Sequence, residues 1–264
     1  MFKVINRLER FEQLPPEERK EVLQVAKAFI DDANCPLTLI GEKAGSLVVI
    51  SKEEATLLRK HKDLFNSDKF KVVIESEKNT KTKQTCNVFV VNIDDQRKII
   101  NKHLELYKHR LNDKNLTPEK AENILFSENT PLFDINNNHD MVGITIGYPV
   151  SDSLLFKISR DIKQQLRHLS KTGDGNSNAA NFLKLVEAMT MEKTHPFIQS
   201  FMDQIGIKKP VSPLGKTGGT YIFETWDADK PETQALLKKI PDAINKAQER
   251  IQTPEDALKI MLEN

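Results

Sequence analysis

The chain of 264 residues is long enough for one large domain or two modest ones, and its 39 basic and 38 acidic residues give a net charge of +1. This balance excludes a whole-molecule field that would attract nucleic acid or an anionic membrane, so any such attraction must be local. Apolar residues make up 38% of the chain and recur along its length, which predicts a globular protein with a buried core.

The N-terminal segment MFKVINRLERFEQLPPEERK has charges every two or three residues, which is not the pattern of a signal peptide. No stretch approaches the roughly 20 apolar residues that span a bilayer. Cys35 and Cys86 lie too far apart in the sequence for a CxxC site or a disulfide framework. These features predict a cytoplasmic protein without transmembrane association, although export by a route that needs no cleaved signal stays open.

The first 61 residues are predicted to contain helices and strands in turn. Pro16 opens a helix whose apolar positions recur at helical spacing: Val22, Val25, Ala26 and Phe29. Residues 35–51 contain short apolar runs, which predict two strands around a glycine-containing turn. Ser51 and Glu54 have the spacing of a capping box, which predicts a helix that extends to about His61.

The clearest strands are KFKVVIES, residues 69–76, and CNVFVVNI, residues 86–93, because both are rich in β-branched and aromatic residues. The second strand is apolar at four successive positions, so we expect it to be central and covered on both faces. A helix from Asp94 to Arg110 is predicted to follow.

After residue 114 the pattern becomes mainly helical. Thr117 and Pro118 predict a helix start, and FDINNNHD, residues 133–140, predicts a polar loop. Gly143 and Gly147 are four residues apart, a spacing that on a helix would allow a neighbouring element to approach closely. A strand is predicted near 219–226, and two closing helices are predicted to start at Pro231 and at Thr253-Pro254-Glu255.

Together these elements predict an α+β fold with an N-terminal α/β lobe, residues 1–114, on a small mixed sheet. A mainly helical lobe, residues 115–264, is predicted to follow. The strand near 219–226 could return to the first sheet, and the two lobes would then form one continuous domain.

The segment SPLGKTGGTYIF, residues 212–223, contains the letters Gly-Lys-Thr of a phosphate-binding loop. Such a loop needs a glycine at the position of Pro210 and a helix after it, whereas a strand pattern follows here. Lys216-Thr217-Gly218 also matches a strand motif of serine β-lactamases, but the chain contains no Ser-x-x-Lys to supply their nucleophile. The segment is therefore interpreted as a glycine-rich turn that enters a strand.

Candidate metal-binding motifs in the sequence also lack required residues. The loops that start at Asp134 and Asp174 alternate oxygen-bearing side chains, but neither has the glycine at position six and the acid at position twelve of a calcium-binding loop. The six histidines include no HExxH motif. The sequence thus predicts neither a metal nor a cofactor.

One catalytic hypothesis is a hydrolase or transferase with Cys35 as the nucleophile. Cys35 is predicted to lie in a loop, His139 or His195 could act as the base, and Asp140 could orient His139. These are common residues rather than a motif, and the simpler interpretation is that both cysteines are structural.

The most informative surface feature is a predicted helix from about Ser153 to Lys171. At about 100° per residue, apolar residues occupy one side of it and five cations the other: Lys157, Arg160, Lys163, Arg167 and Lys171. This basic face predicts a binding or interaction protein that engages an acidic protein or a phosphorylated ligand. The absence of interleaved aromatic residues disfavours nucleic acid. The alternative interpretation is an ordinary solvated helix face.

Overall fold

The computed structural model describes residues 6–76, 84–127, 129–150, 152–154, 157, 216–217, 220–221 and 230–263. Helices and a small three-stranded sheet make up most of this part of the chain, which confirms the predicted α+β class. No helix among these residues combines the length and the apolar composition needed to cross a membrane.

The three strands are β1 (Gly45–Ser51), β2 (Phe70–Ile74) and β3 (Thr85–Asn92), in the order β1-β3-β2. β3 is central, as predicted, and pairs antiparallel with both neighbours, Val48 lying opposite Val88 and Val72 opposite Val90. The prediction of a mixed sheet was therefore wrong. β1 and β2 do run parallel to each other, but β3 is inserted between them, so they share no hydrogen bonds.

Three helices precede β1 in the sequence and two follow it: α1 (Arg7–Glu12), α2 (Pro16–Asp31), α3 (Cys35–Leu39), α4 (Lys52–Lys60) and α5 (Lys62–Phe65). α2 starts at Pro16 and buries the four predicted apolar positions. Ser51 and Glu54 form the predicted capping box at the start of α4. The predicted strand at residues 35–39 is instead the helix α3, because the Asp32 carboxylate accepts the backbone N–H groups of Asn34 and Cys35 and turns the chain there.

The next helices are α6 (Ile93–Lys102), α7 (Leu104–Arg110), α8 (Pro118–Leu125) and α9 (Ile135–Thr145), with a 3₁₀ turn at Pro131–Phe133. The predicted single helix over 94–110 is interrupted at His103, which has non-helical backbone angles. Thr117 caps α8 as predicted. The predicted polar loop at 133–140 was wrong, since most of it belongs to α9, with a kink at Asn138.

The described C-terminal elements are β4 (Lys216–Thr217), β5 (Thr220–Tyr221), α10 (Pro231–Arg250) and α11 (Pro254–Leu262). Both helices begin where they were predicted to begin, and Thr253 with Asp256 forms a second capping box. Of the predicted strand at 219–226, the described part is β5, which pairs with β4 in a separate two-stranded sheet. β5 therefore does not return to the first sheet.

The sheet separates two apolar clusters because successive side chains of a strand point to opposite faces. Val88 and Val90 of β3 pack on one face against α2 and α11. Phe89 and Val91 pack on the other face, among residues of α6 to α9. α11, from the end of the chain, thus shares a cluster with the N-terminal helices, so the core crosses the predicted boundary at residue 114. That boundary itself stays a prediction.

Gly143 lies where α9 meets the next helical segment, which includes residues 150 and 152–154. A β-carbon on Gly143 would lie 2.5 Å from Oγ of Ser153 and 3.0 Å from its Cβ. The glycine therefore permits the close approach that the spacing of Gly143 and Gly147 predicts.

Candidate functional site

A cavity of about 190 Å³ lies between α10 and the turn that joins α3 to β1. The polar residues of its wall are Asn34, Glu42, Lys43, Tyr148 and Lys239. The apolar residues are Leu37, Ala44, Ile99, Leu236, Ile240 and Ala243. We call this cavity the Lys43 pocket.

Local features of the chain position the main residues of the wall. Asn34 immediately precedes α3, and Lys43 lies in the turn between α3 and β1. Gly147 has φ +92°, a left-handed conformation that favours glycine, and this bend follows the end of α9 and directly precedes Tyr148. α10 closes the outer side with Leu236 and Ile240, one turn apart.

The amine of Lys43 has two neighbours in the pocket. Its Nζ donates a hydrogen bond to Oδ1 of Asn34 over 2.8 Å and lies 4.7 Å from the centroid of the Tyr148 ring. Asn34 is itself 8% exposed. Desolvation of the amine lowers the pKa of Lys43 to about 8, against the opposing effect of nearby Asp32. The pocket therefore holds an amine that changes charge close to neutral pH.

Asp32 is the acidic group behind this amine. Its Oδ1 accepts the backbone N–H groups of Asn34 and Cys35, each over 2.9 Å, and burial nonetheless raises its pKa. The hydrogen bonds that Asp32 accepts thus hold the start of α3. They fix the position of Asn34, which in turn accepts the hydrogen bond from the amine of Lys43.

Two further charged residues line the pocket. Glu42 accepts a hydrogen bond from Nζ of Lys246 over 2.8 Å, so its charge is paired across the gap between the turn and α10. Lys239, on α10, is exposed and adds a second cation to the wall.

Cys35, the predicted nucleophile, is fully buried at the start of α3 rather than in a loop. Burial, followed by the nearby carboxylate of Asp32, raises the pKa of its thiol well above the ordinary value. An activated cysteine needs the opposite shift. Cys86 is also buried, and burial raises its pKa as well.

The predicted orienter, Asp140, is paired with an arginine. Asp140 is buried in α9 and accepts a 2.6 Å hydrogen bond from Nη2 of Arg110, while the neighbouring His139 is half-buried. Met141, the next residue of α9, packs on the face of the sheet opposite to the one that holds Cys35. The alternative base, His195, lies outside the described residues.

The basic face is described at one position. Lys157 is helical and half-buried. Arg160, Lys163, Arg167 and Lys171 lie outside the described residues, so the basic face stays a prediction.

The pocket residues were missed by the sequence analysis because they belong to no motif. Lys43 stands between two glycines in a turn. Its partner Tyr148 is distant in the sequence, and the separation between Asn34 and Lys43 matches no known motif. The sequence feature that could have indicated the pocket is the position of Lys43 between two apolar runs. Such a lysine must reach solvent or find partners.

Among the described residues, no group of three or more histidine, cysteine or acidic side chains is arranged to hold a metal ion. Comparison of the chain with protein-family models, with curated proteins and with solved structures finds no match. The Lys43 pocket is therefore the candidate functional site.

Proposed function

We propose that this protein binds a small amphipathic ligand with one anionic group, a carboxylate or a phosphate, in the Lys43 pocket. The observation that carries the proposal is the desolvated amine of Lys43 in the wall of a cavity. This retains the predicted class of function, a binding protein for an acidic or phosphorylated ligand, and moves its site from the basic face to the pocket.

Desolvation explains why a lysine here favours an anionic ligand. Removing an ammonium group from water costs free energy, and one hydrogen bond to Asn34 with a ring contact to Tyr148 returns part of it. An anion in the cavity would return more, because opposite charges attract more strongly in a partly desolvated site than in bulk water. A ligand with negative charge would therefore raise the pKa of Lys43 from about 8.

The other charges of the wall are compatible with a single anionic group. Glu42 is neutralised by Lys246, and Lys239 adds a cation on the α10 side. The apolar side chains of Leu37, Ile240 and Ala243 offer a surface for a short hydrocarbon part. A volume of about 190 Å³ favours a small metabolite, since pockets for larger ligands commonly measure about 300–1,000 Å³.

The test is a titration at pH 7 of the native protein with a series of monocarboxylates from propanoate to hexanoate and with inorganic phosphate, followed by calorimetry. We expect one member to bind, and we expect Lys43→Met to weaken its binding by at least about tenfold, since a charged hydrogen bond contributes about 1.5–3 kcal/mol. Lys27→Met, at an exposed position on α2, is the matched control and should bind normally.

Two results would contradict the proposal. One is that none of these anions binds the native protein. The other is that Lys43→Met, shown by its melting curve to be folded, binds them as tightly as the native protein does.

The basic face supports a second proposal, the engagement of an acidic protein partner. It rests on the five cations that the sequence places on one side of a helix: Lys157, Arg160, Lys163, Arg167 and Lys171. A pull-down at low and moderate salt should recover a partner with the native protein and lose it with the combined substitutions Lys157→Glu, Arg160→Glu and Arg167→Glu. Equal recovery by two proteins that melt alike would refute this proposal.

A cytoplasmic location is also a proposal. It is supported by the two cysteines, which are both free thiols. Cell fractionation with an antibody against the protein would test it, and recovery in the secreted fraction would contradict it.

A further inference from the structure

We propose that the amine of Lys43 forms an imine with the carbonyl carbon of its ligand, so that the natural ligands of the pocket are small oxo acids, molecules that carry both a carbonyl and a carboxylate. This inference rests on the proposed function and deepens it, because it identifies the chemical class of the ligand.

The geometry places the amine where a carbonyl group would enter. Lys43 lines the cavity, and its Nζ lies 2.8 Å from Oδ1 of Asn34 and 4.7 Å from the centroid of the Tyr148 ring, two further residues of the wall. A neutral amine can donate one N–H to Asn34 and still present its lone pair to the cavity. Asn34 therefore orients the nucleophile, and the ring of Tyr148 limits the directions that it can take.

The protonation state favours the reaction near neutral pH. With a pKa of about 8, roughly one Lys43 side chain in ten is neutral at pH 7, about 300-fold more than for an ordinary lysine. Since the neutral amine is the nucleophile, we expect Lys43 to react with carbonyl compounds faster than the exposed lysines do.

Desolvation lowers the pKa of the amine, and the charge of Asp32 opposes this shift. Asp32 lies behind the amine, Glu42 is paired with Lys246, and Lys239 is on the facing helix. Among the described residues that line the cavity, Lys239 is the cation left to pair with the carboxylate of an oxo acid once Lys43 has reacted. The two lysines thus match the two functional groups of the proposed ligand.

The reaction needs no redox partner. The nitrogen lone pair attacks the carbonyl carbon, a C–N bond forms, and the electron pair of the C=O π bond moves to oxygen, which takes up the proton that nitrogen releases. Loss of the hydroxyl group with a further proton from nitrogen gives the C=N bond. The balance is one amine and one carbonyl in, one imine and one water out.

The test uses glyoxylate as the probe and cyanoborohydride to reduce the imine to a stable secondary amine. The full-length native protein is treated at pH 7, and peptide mass mapping measures the labelling rate of each lysine. We expect Lys43 to be labelled at least tenfold faster than the exposed Lys27, and we expect urea-unfolded protein to show no such difference. Lys239→Met should slow the labelling of Lys43 by glyoxylate but not by acetaldehyde, which has no carboxylate.

Equal labelling rates for Lys43 and Lys27 in the native protein would overturn the imine proposal. This comparison is internal to one chain, so it does not depend on whether a Lys43 variant folds. Propanoate, which has a carboxylate but no reactive carbonyl, separates the two proposals. If propanoate or another anion of the series binds and Lys43 is not labelled preferentially, the imine fails and the proposed function stands. If no anion of the series binds and Lys43 is not labelled preferentially, the proposed function is refuted as well.

Discussion

Two apolar clusters of the molecule differ in the residues next to them. One cluster lies between α2 and the sheet, and the other lies beneath α10. On α2, the side chains of Val22, Val25 and Phe29 are fully buried among other apolar groups. Beneath α10, Leu37, Ile240 and Ala243 pack in a smaller cluster whose neighbours include the charged wall of the Lys43 pocket. The first arrangement gains stability from each buried group, whereas the second gives up part of that gain by desolvating an amine.

This difference suggests a division of roles. Residues on the sheet should control the free energy of unfolding, and residues around Lys43 should control binding with smaller effects on stability. Substitutions on the sheet and around Lys43 test this division.

Phe89→Ala should have the largest effect. Phe89 is 1% exposed at the centre of β3 and contacts the ring of Phe133 at a centroid distance of 5.4 Å. Its truncation should lower the free energy of unfolding by about 3–5 kcal/mol, because it leaves a cavity in the core. Urea unfolding measures this change.

The matched control for Phe89 is Val49→Ala on β1. Val49 is 59% exposed, so its truncation should change stability by about 0.5 kcal/mol or less. Equal effects at the two positions would contradict the assignment of Phe89 to the core.

Cys35 should be protected from alkylation. Its thiol is fully buried and its pKa is raised, so it should react with iodoacetamide at pH 7 at least about 100-fold more slowly in the folded protein than in urea, through transient opening. Mass mapping of the modified peptides measures both rates. Rapid alkylation of folded Cys35 below neutral pH would instead support the cysteine-dependent enzyme.

Gly143→Ala should lower the free energy of unfolding by about 1–2 kcal/mol, because the new methyl group would overlap Ser153. The double variant Gly143→Ala/Ser153→Gly is the control. Compared with Ser153→Gly alone, it should be neutral or more stable by up to about 1 kcal/mol, since alanine favours a helix more than glycine does. If the effects of Gly143→Ala and Ser153→Gly on the free energy of unfolding were simply additive, α9 and the segment that contains Ser153 would not be in contact.

Lys43 should make stability depend on pH. The pKa falls from 10.5 to about 8 on folding, so between these values the unfolded chain binds more protons than the folded one and stability rises with pH. Because the side chain is partly exposed, we expect a rise of about 1–2 kcal/mol between pH 8 and 10.5. Chemical denaturation of the native protein and of Lys43→Met across this range measures the difference, and parallel curves would refute the lowered pKa.

Lys246→Ala should have the smallest effect. The pair between Lys246 and Glu42 is solvent-accessible, with the lysine side chain 59% exposed, so its loss should change stability by about 1 kcal/mol or less. It should nevertheless weaken anion binding in the pocket, because Glu42 would then carry an unpaired negative charge there. Calorimetry with the anion that binds best would measure this, and unchanged affinity would show that Glu42 does not influence the ligand.

Features that depend on neighbours in the sequence were determined by the sequence itself. The capping box of Ser51 and Glu54, the helix starts at Pro16 and Pro231, and the central position of the apolar strand β3 are confirmed. A cap satisfies backbone groups three residues away, and a buried strand needs apolar residues on both faces. Both requirements can therefore be recognised within a few residues.

Features that depend on distant contacts were decided by the tertiary structure. The helix α3 replaces a predicted strand, β3 separates β1 from β2, and α9 replaces a predicted polar loop. The candidate site is of the same kind, since Lys43 meets Tyr148 and α10 across long stretches of chain. Its lowered pKa comes from desolvation, which is a property of the packed molecule and of no segment of the sequence taken alone.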